Sequence, residues 1–288
     1  MRKSLLMGLA ALAFGVLPSC SNILEESGIN PAVKGETGEL RIALDADPSV
    51  SVTTKAGASK TVTLTEEQKK QFVIKATKTG DQSIVDLGTF ADFVDGSAKA
   101  ISVGTYSITS TYGTMVDELA FDTPTFSGTT ANNVVVEANK EVVADITAKL
   151  TNSIISIDND AFTAFQSTAS VTELFAYSGT AEPSGTDGKF SFLSANNTLQ
   201  TTKDLFVKAD AKNVNIVIKG TLTTDVNKSF THTSNLKTLI GADNTVEATK
   251  NYNIKYALSA DKGSLTLTIN VDGTVTTVDL TATVDPYK

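Results

Sequence analysis

Few side chains in this sequence could carry covalent or metal chemistry, and their spacing narrows the choice. There is one histidine, His232, and one cysteine, Cys20. A serine nucleophile needs a histidine base held by an acid. His232 lies in Thr231-His232-Thr233, inside a polar stretch, and no nucleophile-elbow motif is present. It reads as a strand or loop residue. Zinc sites that draw on several histidines and cysteines are excluded on count. Asp158-Asn159-Asp160 places oxygens at alternate positions, as a calcium loop would. The mid-loop glycine and distal glutamate of a full loop do not follow in register. A turn followed by a helix N-cap is the plainer reading, with Asp160 capping. Paired carboxylates for glycoside cleavage are assembled by folding, so spacing alone does not reveal them. The chain has no tryptophan to line a sugar cleft, and Tyr106, Tyr112, Tyr177, Tyr252 and Tyr256 mostly alternate with polar residues. They read as core side chains with the hydroxyl at an edge. The residues thus point to no catalytic group, no metal and no cofactor.

The thiol has another chemistry. Arg2 and Lys3 open the chain, an apolar run extends from Leu5 to Leu17, and Leu17-Pro18-Ser19-Cys20 follows. This is the layout of a secretory signal, with a small residue before the cut. The run is shorter than the roughly 20 residues that a membrane-spanning helix needs. The segment resembles a bacterial lipobox, in which the cysteine receives a diacylglycerol and becomes the first residue of the mature chain. Pro18 departs from the small or hydroxyl residue usual two positions before the cysteine. An exposed free thiol otherwise fits a secreted chain poorly. On this reading residues 1–19 are a lipoprotein signal peptide, Cys20 is the lipidation site, and the membrane is a partner through the lipid. Residues 20–38, with Gly28, Pro31, Gly35 and Gly38, read as a flexible tether. Glu25-Glu26 is similar to acidic export tags of Bacteroidetes lipoproteins, and serves equally as solubilising charge. The expected location is the outer membrane, facing the cell exterior, with the periplasmic face left open.

The elements behind these residues are mostly strands. Removing 19 of the 288 residues leaves 269, which at about 150 per domain suggests two domains. The net charge of −8 becomes −10 once Arg2 and Lys3 are cut away, so nothing electrostatic draws the chain to nucleic acid. With Cys20 acylated no disulfide is available, and packing must supply the stability. Period-two alternation marks Leu40-Ile42-Leu44, Tyr106-Ile108, Val142 to Leu150, Tyr252 to Leu258, Leu265 to Val271 and Val278 to Val284. Gly104 and Gly113 bracket one strand, and Asp272-Gly273 suits a two-residue hairpin turn. Thr65 and Gln68 have capping-box spacing. Asn235 to Ile240 suits a brief helix capped by Ser234 and closed by Gly241. Phe162 and Phe165 share the face of another. The pattern restarts after Asn152, placing one domain at 39–152 and a second at 153–288.

A resemblance rests on these residues. Gly104-Thr105-Tyr106 opens a strand that Tyr112-Gly113 closes. Ala120-Phe121-Asp122 follows, then Phe126-x-Gly128, then a valine-rich hairpin ending near Leu150-Thr151-Asn152. Together with Val52-Thr53-Thr54-Lys55-Ala56, this is similar to an uncharacterised family of Bacteroidetes lipoproteins. That family is related in style to fimbrillin-like cell-adhesion proteins. The likeness spans most of the chain beyond the tether and is strongest from Ile101 to Ile157. It implies an all-β fold of two tandem antiparallel β-sandwich domains with a few short helices. It also implies a non-enzymatic role in adhesion or in a fimbria-like structure, with a protein or glycan ligand at the cell surface. In true pilins a basic residue in an early loop is cut to release a strand. Only Lys55 or Lys60 could stand there, a departure that counts against polymerisation. A second reading is a glycan-binding lipoprotein accessory to an outer-membrane nutrient importer.

Overall fold

The computed structural model describes residues 35–50, 60–224, 228–241, 243–261, 264–271 and 274–280. Cys20, the signal segment, most of the tether, Val52 to Ala56, the Asp272-Gly273 turn, Ala282 and Val284 lie outside them. Thr37–Lys288 forms one compact unit.

In chain order the unit opens with strand β1 (Thr37–Asp47), the short pair β2 (Ser49–Val50) and β3 (Lys60–Thr61), and helix α1 (Glu66–Lys69). The side chain of Thr65 accepts from the Gln68 amide while Gln68 accepts from the Thr65 amide, the reciprocal cap that the spacing predicts. Strands β4 (Val73–Lys78), β5 (Ile84–Thr89), β6 (Lys99–Ser102), β7 (Gly104–Tyr112), β8 (Leu119–Phe121), β9 (Phe126–Thr129), β10 (Val134–Val136) and β11 (Glu141–Leu150) follow. After them come β12 (Asn152–Ile157), helix α2 (Asn159–Gln166), β13 (Ala169–Ser178), β14 (Phe190–Ser191), β15 (Leu205–Lys208), β16 (Val214–Leu222) and β17 (Ser229–Asn235). Helix α3 (Leu236–Leu239), β18 (Asn251–Asp261), β19 (Ser264–Val271) and β20 (Thr274–Asp279) complete the chain.

Three large sheets result. The first runs β5-β4-β7-β9-β11-β1-β6, with β10 also paired to β7. The second runs β20-β19-β18-β12-β15-β8, and the third β14-β13-β16-β17. Most pairings are antiparallel, as expected of such a sandwich. Two are parallel, β1 with β11 and β12 with β18. Each parallel pair joins strands far apart in sequence, because a tight hairpin cannot reverse the chain twice.

Alternation explains which side chains are buried. Tyr106, Ile108, Ala144, Ile146, Ala148 and Leu150 point into the first core, with Phe72 stacked on Tyr112 at 5.2 Å. Where alternation breaks, two layers meet. Ile154-Ile155 and Leu205-Phe206-Val207 are apolar runs, and their strands pair with each other. Ile154 and Phe206 belong to the first core, while Ile155, Leu205 and Val207 belong to the second. A strand covered on both faces must be apolar on both. The second core fills the space between the second and third sheets, with Phe162 and Phe165 of α2 and Leu236 and Leu239 of α3. Polar groups at this junction are satisfied. Asn152 donates to the Thr123 carbonyl at 2.8 Å and accepts from the Thr125 amide, and Ser153 donates to the Glu247 carbonyl.

Candidate functional site

The first sheet is split along one seam. β11 pairs with β1 over Glu39 to Asp47, but on its other side it meets β9 only at Lys149 and Leu150. β10 pairs with β7 and with no other strand among the described residues. A notch of about 420 Å³ opens between β10 and β11, lined by Asn132, Asn133, Val135, Val142, Val143 and Asp145. Val135 and Val143 are 55% and 48% exposed. The β10–β11 connection splays here because Asn139 takes a positive φ of 56° and its amide donates to the Thr37 carbonyl of β1. The turn is thereby tied to β1 rather than closing a flat hairpin. From Glu141 to Asp145 no described strand pairs with this side of β11, the kind of edge an added strand uses.

A second cleft, of about 160 Å³, lies where β12 runs out beyond the end of β15. Ile155, Ile157, Phe192 and Leu199 form its apolar wall. Lys60, from the β2–β3 pair, is ion-paired to Asp204. Asn159, Thr201 and Lys203 complete the rim.

The third sheet's outer face carries a small cluster of Phe175, Tyr177 and Val217. Lys189 and Lys219 lie 4.4 and 5.4 Å from the Phe175 ring centre. Glu182 accepts from both lysines at 2.8 Å, and Lys219 also pairs with Glu173 at 3.1 Å. Hydrogen bonds from Lys189 and Lys219 hold the Glu182 carboxyl below the usual carboxylate range. These charges are committed to one another over the ring, which leaves the adjoining 360 Å³ hollow without a free charged group from this quartet.

The residues singled out from the sequence fall as follows. His232 lies on β17, its Nε2 2.6 Å from the Ser234 hydroxyl, and burial pushes its pKa down. Among the described residues no acid completes a triad. Asp158, rather than Asp160, caps α2 by accepting from the Ala161 amide at 2.9 Å. Asn253 and Lys255 take its other oxygen, and Asp160 is exposed in the first turn. Capping goes to the residue whose backbone stays extended just before the helix, and that is Asp158. Likewise Asn235 caps α3, while Ser234 serves His232. Tyr106, Tyr177, Tyr252 and Tyr256 are buried, and burial drives the Tyr256 hydroxyl well above its ordinary pKa. Among the described residues no group of three histidine, cysteine, aspartate or glutamate side chains could hold a metal ion. No described helix is long and apolar enough to cross a membrane. Lys203 and Glu118 escaped the sequence reading. Glu118 accepts from the Lys212 and Asn213 amides and from Ser178, tying the segment before β8 to the second core. No local signal marks it, because its partners lie 60 to 95 positions further along the chain.

Fold and surfaces together define a multi-sheet, all-β protein that offers strand edges and small polar clefts. More particularly, the chain belongs to the family described as "Domain of unknown function (DUF4493)", which matches residues 36–286. That agrees with the resemblance read from Ile101 to Ile157. No curated protein matches the chain. Among solved structures it is similar to a candidate cell adhesion protein from Bacteroides eggerthii, at 13% identity, covering 87% of this chain and 98% of that one with a TM-score of 0.40. It is also similar to a fimbrial assembly protein from Parabacteroides distasonis, at 6% identity, 84% and 98% coverage and a TM-score of 0.39. The fimbrial anchor protein Mfa2 from Porphyromonas gingivalis matches at 9% identity, 82% and 98% coverage and a TM-score of 0.35.

Proposed function

We propose that this chain is a lipid-anchored protein of the outer membrane, facing the cell exterior. It acts without catalysis, in adhesion or as a structural part of a fimbria-like assembly. Residues 1–19 are its signal peptide, Cys20 carries the lipid, and 20–38 is the tether. The two β-sandwich domains, 39–152 and 153–288, do the binding. The anchor rests on the lipobox-like run ending at Cys20. The interaction rests on one structural observation, the Glu141-to-Asp145 stretch of β11 that no described strand pairs on its β10 side, beside exposed Val135 and Val143. An extended segment can add to such an edge through its backbone, with alternate side chains choosing the partner.

Cys20→Ser should move the protein from the membrane fraction to the soluble one. Deleting the gene should reduce attachment or surface fibres, and re-expression of a Val143→Lys form should restore them poorly. Unchanged attachment to every surface and host matrix tried would sink the adhesion reading. The second reading, a glycan-binding accessory to an importer, is favoured by one observation, the cleft at the end of β12, where the side chains of Asn159 and Thr201 have no hydrogen-bond partner and Lys203 no ion-pair partner among the described residues.

A further inference from the structure

We infer that the cleft at the end of β12 binds one carboxylate-bearing sugar unit, of the uronic or sialic acid class, with Lys203 as the cation that selects it. This rests on the second reading above and gives it a ligand class.

Size comes first. A cavity of about 150 Å³ is known to hold a single benzene ring, and this cleft measures about 160 Å³. Being an open cleft, it seats the ring of one sugar unit while the exocyclic groups project from its mouth. Its walls differ in kind. Phe192 and Leu199 give an apolar surface suited to the C–H face of a sugar ring. Facing it are groups that can serve hydroxyls: the side chains of Asn159 and Thr201 make no hydrogen bond within the described chain. Small ligand sites commonly combine an apolar body with a few convergent polar groups.

Charge then decides the class. Lys60 is neutralised by Asp204. Lys203 has no carboxylate partner within the described chain, and its ammonium lies 5.6 Å from the centre of the Phe121 ring. The lining therefore holds two lysines against one aspartate, with the Asp122 carboxylate close by on the Asp204 amide, so Lys203 is the one lining charge without an ion-pair partner among the described residues. A neutral sugar would leave that ammonium with the Phe121 ring alone. A sugar carboxylate would form a charge-assisted hydrogen bond to it. The ammonium itself already lies against the Phe121 ring, so less of its freedom is lost on binding.

The test is ligand-detected NMR on the purified chain with glucuronic acid, galacturonic acid and N-acetylneuraminic acid, against glucose, galactose and sodium acetate. The expected result is saturable binding of at least one acidic sugar, with Kd on the order of 1 mM from the efficiency typical of small ligands. It should weaken in high salt. Lys203 is exposed, so its replacement leaves folding intact. Lys203→Glu should weaken acidic-sugar binding by about tenfold or more, Lys203→Arg should retain it, and Val116→Ala, exposed and outside the cleft lining, should not change it. Equal binding of neutral and acidic sugars, unaffected by Lys203→Glu, would overturn the acidic class and leave the glycan reading standing. Acetate binding as well as the sugars would overturn the ring requirement. No sugar signal at all would overturn both.

Discussion

Ser110 is the least well-served side chain of the first core. It is fully buried on β7 and its hydroxyl has no hydrogen-bond partner. A buried polar group left unpaired costs about 1–3 kcal/mol. Ser110→Ala should therefore stabilise the protein by about 1 kcal/mol and raise Tm by roughly 2–4 °C. A lower Tm would show that the hydroxyl finds a partner in solution. His232 sets a pH dependence. Burial lowers its pKa, so the folded chain takes up that proton at lower pH than the unfolded chain does. Its share of stability is whole above about pH 6.5 and is lost as pH falls through that value and then the folded one. Asp158 and Glu118 act in the same sense at lower pH. For each, burial is the largest influence and pushes the pKa up, but the hydrogen bonds outweigh it and the net shift is downward. Their share is present above about pH 4 and is lost below it. Urea midpoints should fall gently below about pH 6.5 and steeply below about pH 4. His232→Gln should remove only the first decline. A wild-type profile that is flat between pH 7 and 4.5 would refute the histidine part.

At the scale of elements, β8 is the strand whose place is least evident locally. Leu119–Phe121 sits among first-sheet strands in sequence, yet it pairs with β15 and sends Leu119 into the second core. Glu118 secures it by three hydrogen bonds to that side. Leu119→Ala should cost about 2–5 kcal/mol, since it empties a core position. Val116→Ala, three residues earlier and 83% exposed, should cost less than about 0.5 kcal/mol. Urea unfolding of both variants checks this, and similar costs would mean that β8 is not docked. The helices show a simpler logic. Thr65 and Gln68 were readable because a capping box needs only residues three apart. The caps of α2 and α3 were each misplaced, because two or three adjacent residues could cap equally well. The choice fell to contacts with β17 and β18.

At the scale of the whole molecule, β12 and β15 are shared property. Their two faces serve different cores through Ile154 and Phe206 on one side and Ile155, Leu205 and Val207 on the other. Phe206→Ala should remove about 3–5 kcal/mol, and it should do so for both cores at once. Calorimetry of wild type and variant should show one transition that shifts as a unit. Two separable transitions, with only one moved by Phe206→Ala, would show that the cores unfold independently.

Much of this is legible in local order along the chain. The run from Arg2 to Cys20 carries its meaning in residue order, so the lipid-anchor expectation needs no fold. Alternation names the buried face of β7, β11, β18 and β19, because a strand turns over every second residue whatever it packs against. The apolar runs at Ile154-Ile155 and Leu205-Phe206-Val207 held the sign of a doubly covered layer, though alternation alone does not say which layers cover it. Partnership was settled only in three dimensions. The parallel pairing of β1 with β11 joins residues about a hundred positions apart, the pairing of β8 with β15 joins residues more than eighty apart, and both leave their trace in cross-strand contacts rather than in either strand's own pattern. The same holds for the cleft at β12. Lys203 is unremarkable in sequence, Lys60 and Asn159 stand out there for other reasons, and all three line one cleft because three connections end at one place.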